Sequence, residues 1–171
     1  MNSITRAMAT GDVVCLGSFS TRGLSKKEMF EKIKERELIG PWCPNIFDRV
    51  VFRPSAGVNF RLVAVCKPND FDESWERLTA DTLAFDFGFG NILPTFEMAY
   101  YLWERSLSSM RLNDQKPDLS CLIVCHQEIY CGKDVCDRVA VISDKMVVSG
   151  GISGPGHHFG DKAGYVYVLP E

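Results

Sequence analysis

Histidine titrates near neutral pH and serves equally as a general base and as a metal ligand. Two of the three histidines in this chain, His157 and His158, are adjacent. They stand in Gly150-Gly151-Ile152-Ser153-Gly154-Pro155-Gly156-His157-His158-Phe159-Gly160-Asp161-Lys162, which also supplies a hydroxyl, a carboxylate and an ammonium group. Glycines such as Gly151, Gly154 and Gly156 let backbone amides approach a ligand closely and turn towards an anion. The segment is therefore expected to contact a ligand through Gly151, Gly154, Gly156, His157, His158 and Lys162. A catalytic version of the same segment would draw on His157 or His158 as base, Ser153 or a distant cysteine as nucleophile, the Asp161 carboxylate, and loop amides as oxyanion or phosphate donors. No fixed catalytic spacing accompanies these residues, and a surface loop with solvated imidazoles has the same composition. The glycine spacing is wrong for a dinucleotide fingerprint, and the strand-like Tyr165 to Leu169 follows where that motif needs a helix. A phosphate-binding P-loop is excluded because no Gly-Lys-Ser/Thr ending occurs.

A second cluster is Cys121, Cys125, His126, Glu128, Cys131 and Cys136. Its spacings do not form the paired knuckles of structural zinc sites, so no metal is expected. On a strand, Cys121, Ile123 and Cys125 point one way and Leu122, Val124 and His126 the other, which separates Cys125 from His126 as a nucleophile and base pair. Small buried hydrophobes describe these cysteines better. Cys131 and Cys136 flank a turn across which a disulfide would form if the two strands set them opposite each other. Asp86 and Glu97 are a third candidate, as paired carboxylates for acid–base work, although Asp86 has a simpler use in capping a turn. The tripeptide Asp86-Phe87-Gly88 lacks every other element of a kinase.

Composition narrows the function classes. A net charge of −3 gives no general attraction to nucleic acid or anionic membranes. The basic residues around Lys26 to Arg36 are interleaved with Glu28, Glu31 and Glu35, so a solvated helix face explains them. No apolar run approaches the roughly 18 residues of a membrane span. Met1 to Asp12 lacks the apolar core of a secretory signal, and residues 1–11 are expected to form a flexible segment. Seven cysteines cannot all pair within one chain, so reduced thiols and a cytoplasmic location are expected.

The elements that must position these groups are read from periodicity. Val13 to Phe19 is a strand, and Ser25 with Glu28 forms a capping box, staple residues Leu24 and Met29 on either side, for a helix closed by Gly40-Pro41. Arg49 to Arg53 and Asn59 to Lys67 read as a strand pair, the second with Phe60, Leu62, Ala64 and Cys66 on an apolar face. A short helix is expected from Asn69 to Ala80, with Trp75, Leu78 and Thr79 inward. Thr82 to Gly90 reads as a strand or extended loop because of its period-two aromatics and its glycines. Pro94 opens a largely buried helix through Met110. Leu119 to Tyr130, Arg138 to Ser143, Met146 to Val148 and Tyr165 to Leu169 are strands, with a long loop from Ser149 to Gly164. The 171 residues are expected to form one α+β domain in which a mainly antiparallel sheet packs against two or three helices. The functional expectation is a binding domain without a cofactor, contacting a protein partner or a small polar ligand through the Gly/His loop. The alternative is a small hydrolase or transferase.

Overall fold

The computed structural model describes residues 3–36, 53–89, 93–109, 119–124, 129–131, 134–136, 138–143, 148–152 and 159–169. For residues 106–109 and for the strands between 129 and 152, it is the backbone that is described. The elements in chain order are α1 (Ser3–Thr10), β1 (Val13–Arg22), α2 (Lys26–Glu35), β2 (Ala56–Val65), α3 (Arg77–Asp86), α4 (Phe96–Ser109), β3 (Cys121–Val124), β4 (Ile129–Cys131), β5 (Asp134–Cys136), β6 (Arg138–Ser143), β7 (Val148–Ile152) and β8 (Ala163–Leu169). The α+β class is as expected.

The strand order is β1-β2-β8-β3-β6-β7, and β4 and β5 form a separate two-stranded pair. The expectation of a mainly antiparallel sheet is corrected here, because the sheet is mixed. β8 does not pair with β7, its neighbour in sequence. It inserts between β2, to which it is antiparallel, and β3, to which it is parallel. A parallel pair needs a long crossover, and turn spacing carries no sign of which distant strand the chain will return to.

β2 shows why the sheet needs helices on both sides. Phe60, Leu62, Ala64 and Cys66 enter one core together with Met29 and Ile33 of α2 and Phe96, Ala99 and Leu102 of α4. The alternate residues Val63 and Val65 enter a second core with Ala7 of α1 and Ala80 and Ala84 of α3. A strand buried on both faces reads as a near-continuous apolar run, which Leu62 to Cys66 is. β3 divides in the same way, with Leu122 and Val124 in the first core and Ile123 in the second.

Helix α2 has the expected start. Ser25 Oγ accepts from the Glu28 amide, and the Glu28 carboxylate accepts from the Ser25 amide at 2.8 Å. These bonds hold the Glu28 carboxyl below its ordinary value of 4.5, the Ser25 hydroxyl contributing most. A carboxyl depressed on folding stabilises the fold above its unfolded pKa, and that stabilisation is lost as pH falls through the folded value. Ser25→Ala is expected to cost about 0.5–2 kcal/mol in urea unfolding. It should also flatten the loss of α2 amide protection, followed by hydrogen exchange, as pH drops below the ordinary carboxyl range.

Three local expectations are corrected. Residues 3–10, expected to be flexible, are helical, and Ala7 is 3% exposed. Ala7 and the partly buried Ile4 and Met8 give α1 a narrow apolar face that packs on the second core. The helix expected at 69–80 starts only at Arg77 and runs through the segment expected to be extended. Gly88 lies beyond its C-terminal end and adopts φ 90°, so this glycine stops the helix and does not prevent it. On this helix Ala80 and Ala84 are buried whereas Leu78 and Phe85 are 58% and 65% exposed, the reverse of the inward placement expected for Leu78. Finally, Ser149 to Ile152 belong to β7, paired with β6, and are not loop. No helix of the described residues is long and apolar enough to cross a membrane.

Candidate functional site

The end of the Gly/His segment is tied firmly to the sheet. Phe159 packs edge-on against Tyr165, with ring centroids 6.4 Å apart. Gly160 takes φ 98°, the left-handed backbone that glycine adopts without steric penalty, and its carbonyl accepts from the Ala163 amide at 3.1 Å. The Lys162 carbonyl accepts from the Ser120 amide at 2.9 Å. The Ala163 carbonyl accepts from Trp75 Nε1 at 2.8 Å, and Trp75 itself is fully buried. Asp161 and Lys162 are thereby placed at the start of β8, between the start of β3 and the end of β2.

At this junction there is a cavity of about 340 Å³. Lys67 and Asn69 line it from the chain leaving β2, Phe71 and Leu119 form apolar wall, and Asp161 and Lys162 line it from the segment ahead of β8. The Asp161 carboxylate pairs with Lys67 Nζ at 3.0 Å. Lys67 retains 19% side-chain exposure and Asp161 59%, so the pair is a rim contact with the modest strength of solvated ions. Phe71 is held by an edge contact to Trp75 at 6.1 Å. The cavity therefore presents an amide, two ammonium groups and one carboxylate around a small apolar wall.

Of the expected site residues, Asp161 and Lys162 are brought together on this cavity. Gly151 is not with them: it lies on the edge strand β7 opposite Val139. Ser153, Gly154, Gly156, His157 and His158 lie outside the described residues, so the catalytic arrangement expected of them does too. Asp86 and Glu97 are not a pair. Asp86 is exposed at the end of α3, on the side of the second core. Glu97, 4% exposed, is on α4 on the other side, where its Oε2 accepts from Ser55 Oγ at 2.8 Å. In the cysteine cluster, the register sets Cys131 opposite Asp134 and Cys136 opposite Ile129, so the two cysteines do not face each other. Cys125, His126 and Glu128 lie outside the described residues.

Lys67, Asn69, Phe71 and Leu119 are lining residues that sequence reasoning missed. The only local signal was Lys67-Pro68, a charge and a strand-breaker ending an apolar run, which marks a strand end and nothing about its neighbours. Comparison of the chain with family models, with curated proteins and with solved structures returns no match.

Proposed function

We propose that the chain is a binding domain whose ligand is a small polar molecule with a short apolar body, held in the cavity between the end of β2 and the segment ahead of β8. The observation that carries this reading is the convergence of Lys67, Asn69, Asp161 and Lys162 on one cavity of about 340 Å³, within the size range of small-molecule sites. Phe71 and Leu119 give the apolar contact, and the polar groups at the rim fix orientation. The Gly/His segment runs directly into Asp161, which makes His157 and His158 the proposed ligand contacts nearest to it in sequence. A cytoplasmic location without nucleic-acid partners belongs to the same reading. It is supported by the net charge of −3, by a count of seven cysteines that cannot all pair within one chain, and by the exposed thiol of Cys15.

The test is a thermal-shift and saturation-transfer screen with amino acids and short hydroxy acids as probes. Binders should raise the melting temperature, and Lys162→Ala or His157→Ala/His158→Ala should weaken each binder about tenfold. Lys162 and Asn69 are exposed, so their alanine variants should fold normally. Binders that hold equally well to Lys162→Ala, Asn69→Ala and the double histidine variant would overturn the proposal.

A further inference from the structure

A larger cavity of about 700 Å³ lies at the opposite end of β1, away from the Lys67 cavity. Three elements build it. Phe19, Ser20 and Arg22 come from β1, Lys32, Glu35 and Arg36 from the end of α2, and Tyr100, Tyr101, Trp103, Glu104 and Arg105 from α4. Four cationic side chains thus face one cavity against two carboxylates, in a chain whose net charge is −3. The excess is local and opposite in sign to the whole.

Two of the cations are held in place. Arg22 lies over the Tyr101 ring at 5.2 Å and pairs through Nη2 with Glu104. Arg105 lies over the Phe19 ring at 5.0 Å and donates from Nη1 to the Ser18 carbonyl at 2.7 Å. Ring contact and hydrogen bond together restrict each guanidinium, which lowers the entropy lost when it binds an anion. Tyr101 OH also accepts from the Arg22 amide at 2.7 Å, fixing the end of β1 against α4. Burial, and then the Glu104 charge, push the Tyr100 hydroxyl well above its ordinary value, so it stays a neutral donor to Glu104 at 3.1 Å. Lys32 and Arg36 sit where the C-terminus of a helix favours cations. That accounts for their sign and does not account for Arg22 and Arg105, which come from other elements.

We infer that this cavity is an anion-binding site for a phosphate-bearing small molecule, with Arg22 and Arg105 as preset guanidinium groups and Lys32 and Arg36 completing the charge. The planar donor fork of arginine matches phosphate oxygens in pairs, and an excess of two positive charges suits a dianion. The site is independent of the Lys67 cavity and of the proposal made for it.

Inorganic pyrophosphate is the probe, titrated into the full chain at physiological ionic strength and followed by calorimetry and by amide chemical shifts. Saturable binding is expected, with shifts confined to the end of β1, the last turn of α2 and α4. The variant Lys32→Ala/Arg36→Ala should lose about tenfold in affinity. The charge-matched control Lys27→Ala/Lys34→Ala, on exposed positions of the same helix that do not line the cavity, should bind as the parent does. Lys162→Ala should also leave pyrophosphate binding unchanged. Equal losses in the control, tighter binding of malonate than of pyrophosphate, binding of an oligonucleotide without binding of pyrophosphate, or no saturable binding would each overturn the inference.

Discussion

Trp75→Ala is expected to lower stability by about 3–5 kcal/mol, a large share of the roughly 5–15 kcal/mol that holds an ordinary domain folded. Trp75 lies in a loop, yet it is fully buried. Its indole meets Tyr165 edge-on at 5.7 Å and Phe71 at 6.1 Å, and its Nε1 donates to the Ala163 carbonyl on the central strand β8. Alanine would leave a cavity of aromatic size and a carbonyl without its donor. Trp75→Phe separates the two effects: the ring volume is mostly kept, the donor is lost, and the cost should be about 1–3 kcal/mol. Urea unfolding of both variants measures this, and a Phe variant as stable as the parent would show that the Ala163 carbonyl does not depend on the indole. Because Phe71 and Ala163 both line the Lys67 cavity, the Phe variant should also weaken any ligand found there.

Gly17→Ala should cost about 1–3 kcal/mol from backbone strain, since Gly17 has φ 113° at an irregular step of the β1–β2 ladder. A Cβ there would stand 2.6 Å from Arg105 Nη1 and 2.9 Å from its Cζ. The guanidinium is the far end of a flexible side chain and can swing away, but only by giving up the Ser18 carbonyl and the Phe19 ring. The two contributions separate in a double-mutant cycle. In an Arg105→Ala background, Gly17→Ala should cost less than in the parent, leaving the backbone strain alone. Additive costs would show that Arg105 does not restrain this bulge. If the cavity beside Arg105 takes a phosphate, Gly17→Ala should weaken pyrophosphate binding even though residue 17 does not touch it.

Local chemistry makes some elements legible from the residues alone. Ser25 and Glu28 mark the start of α2 because a capping box is complete within four residues. Phe60 to Cys66 mark β2 because a short apolar, β-branched run ended by Pro68 is recognisable without any distant partner. The aromatic run of Thr82 to Phe89 misleads, since its period-two pattern comes from residues that α3 and the turn after it distribute between core, rim and solvent. The organising residues of that helix are Ala80 and Ala84, too small to signal burial. α1 is equally silent, its packed face being little more than Ala7 flanked by Ile4 and Met8.

By itself, then, the sequence determined what short-range rules govern: the α+β class, the capped start of α2, the buried stretch of α4, the strands β2, β6 and β8, and the Asp161-Lys162 end of a polar segment. Tertiary structure alone decided that β8 lies between β2 and β3, and so that Lys67, Asn69 and Leu119 share a cavity with residues far away in the chain. It also decided that arginines from β1 and α4 meet over aromatic rings. The reason is physical. Capping and periodicity are settled by neighbours along the chain, whereas the return of a distant strand is settled by burying apolar faces from the whole molecule at once, and no local pattern encodes that choice.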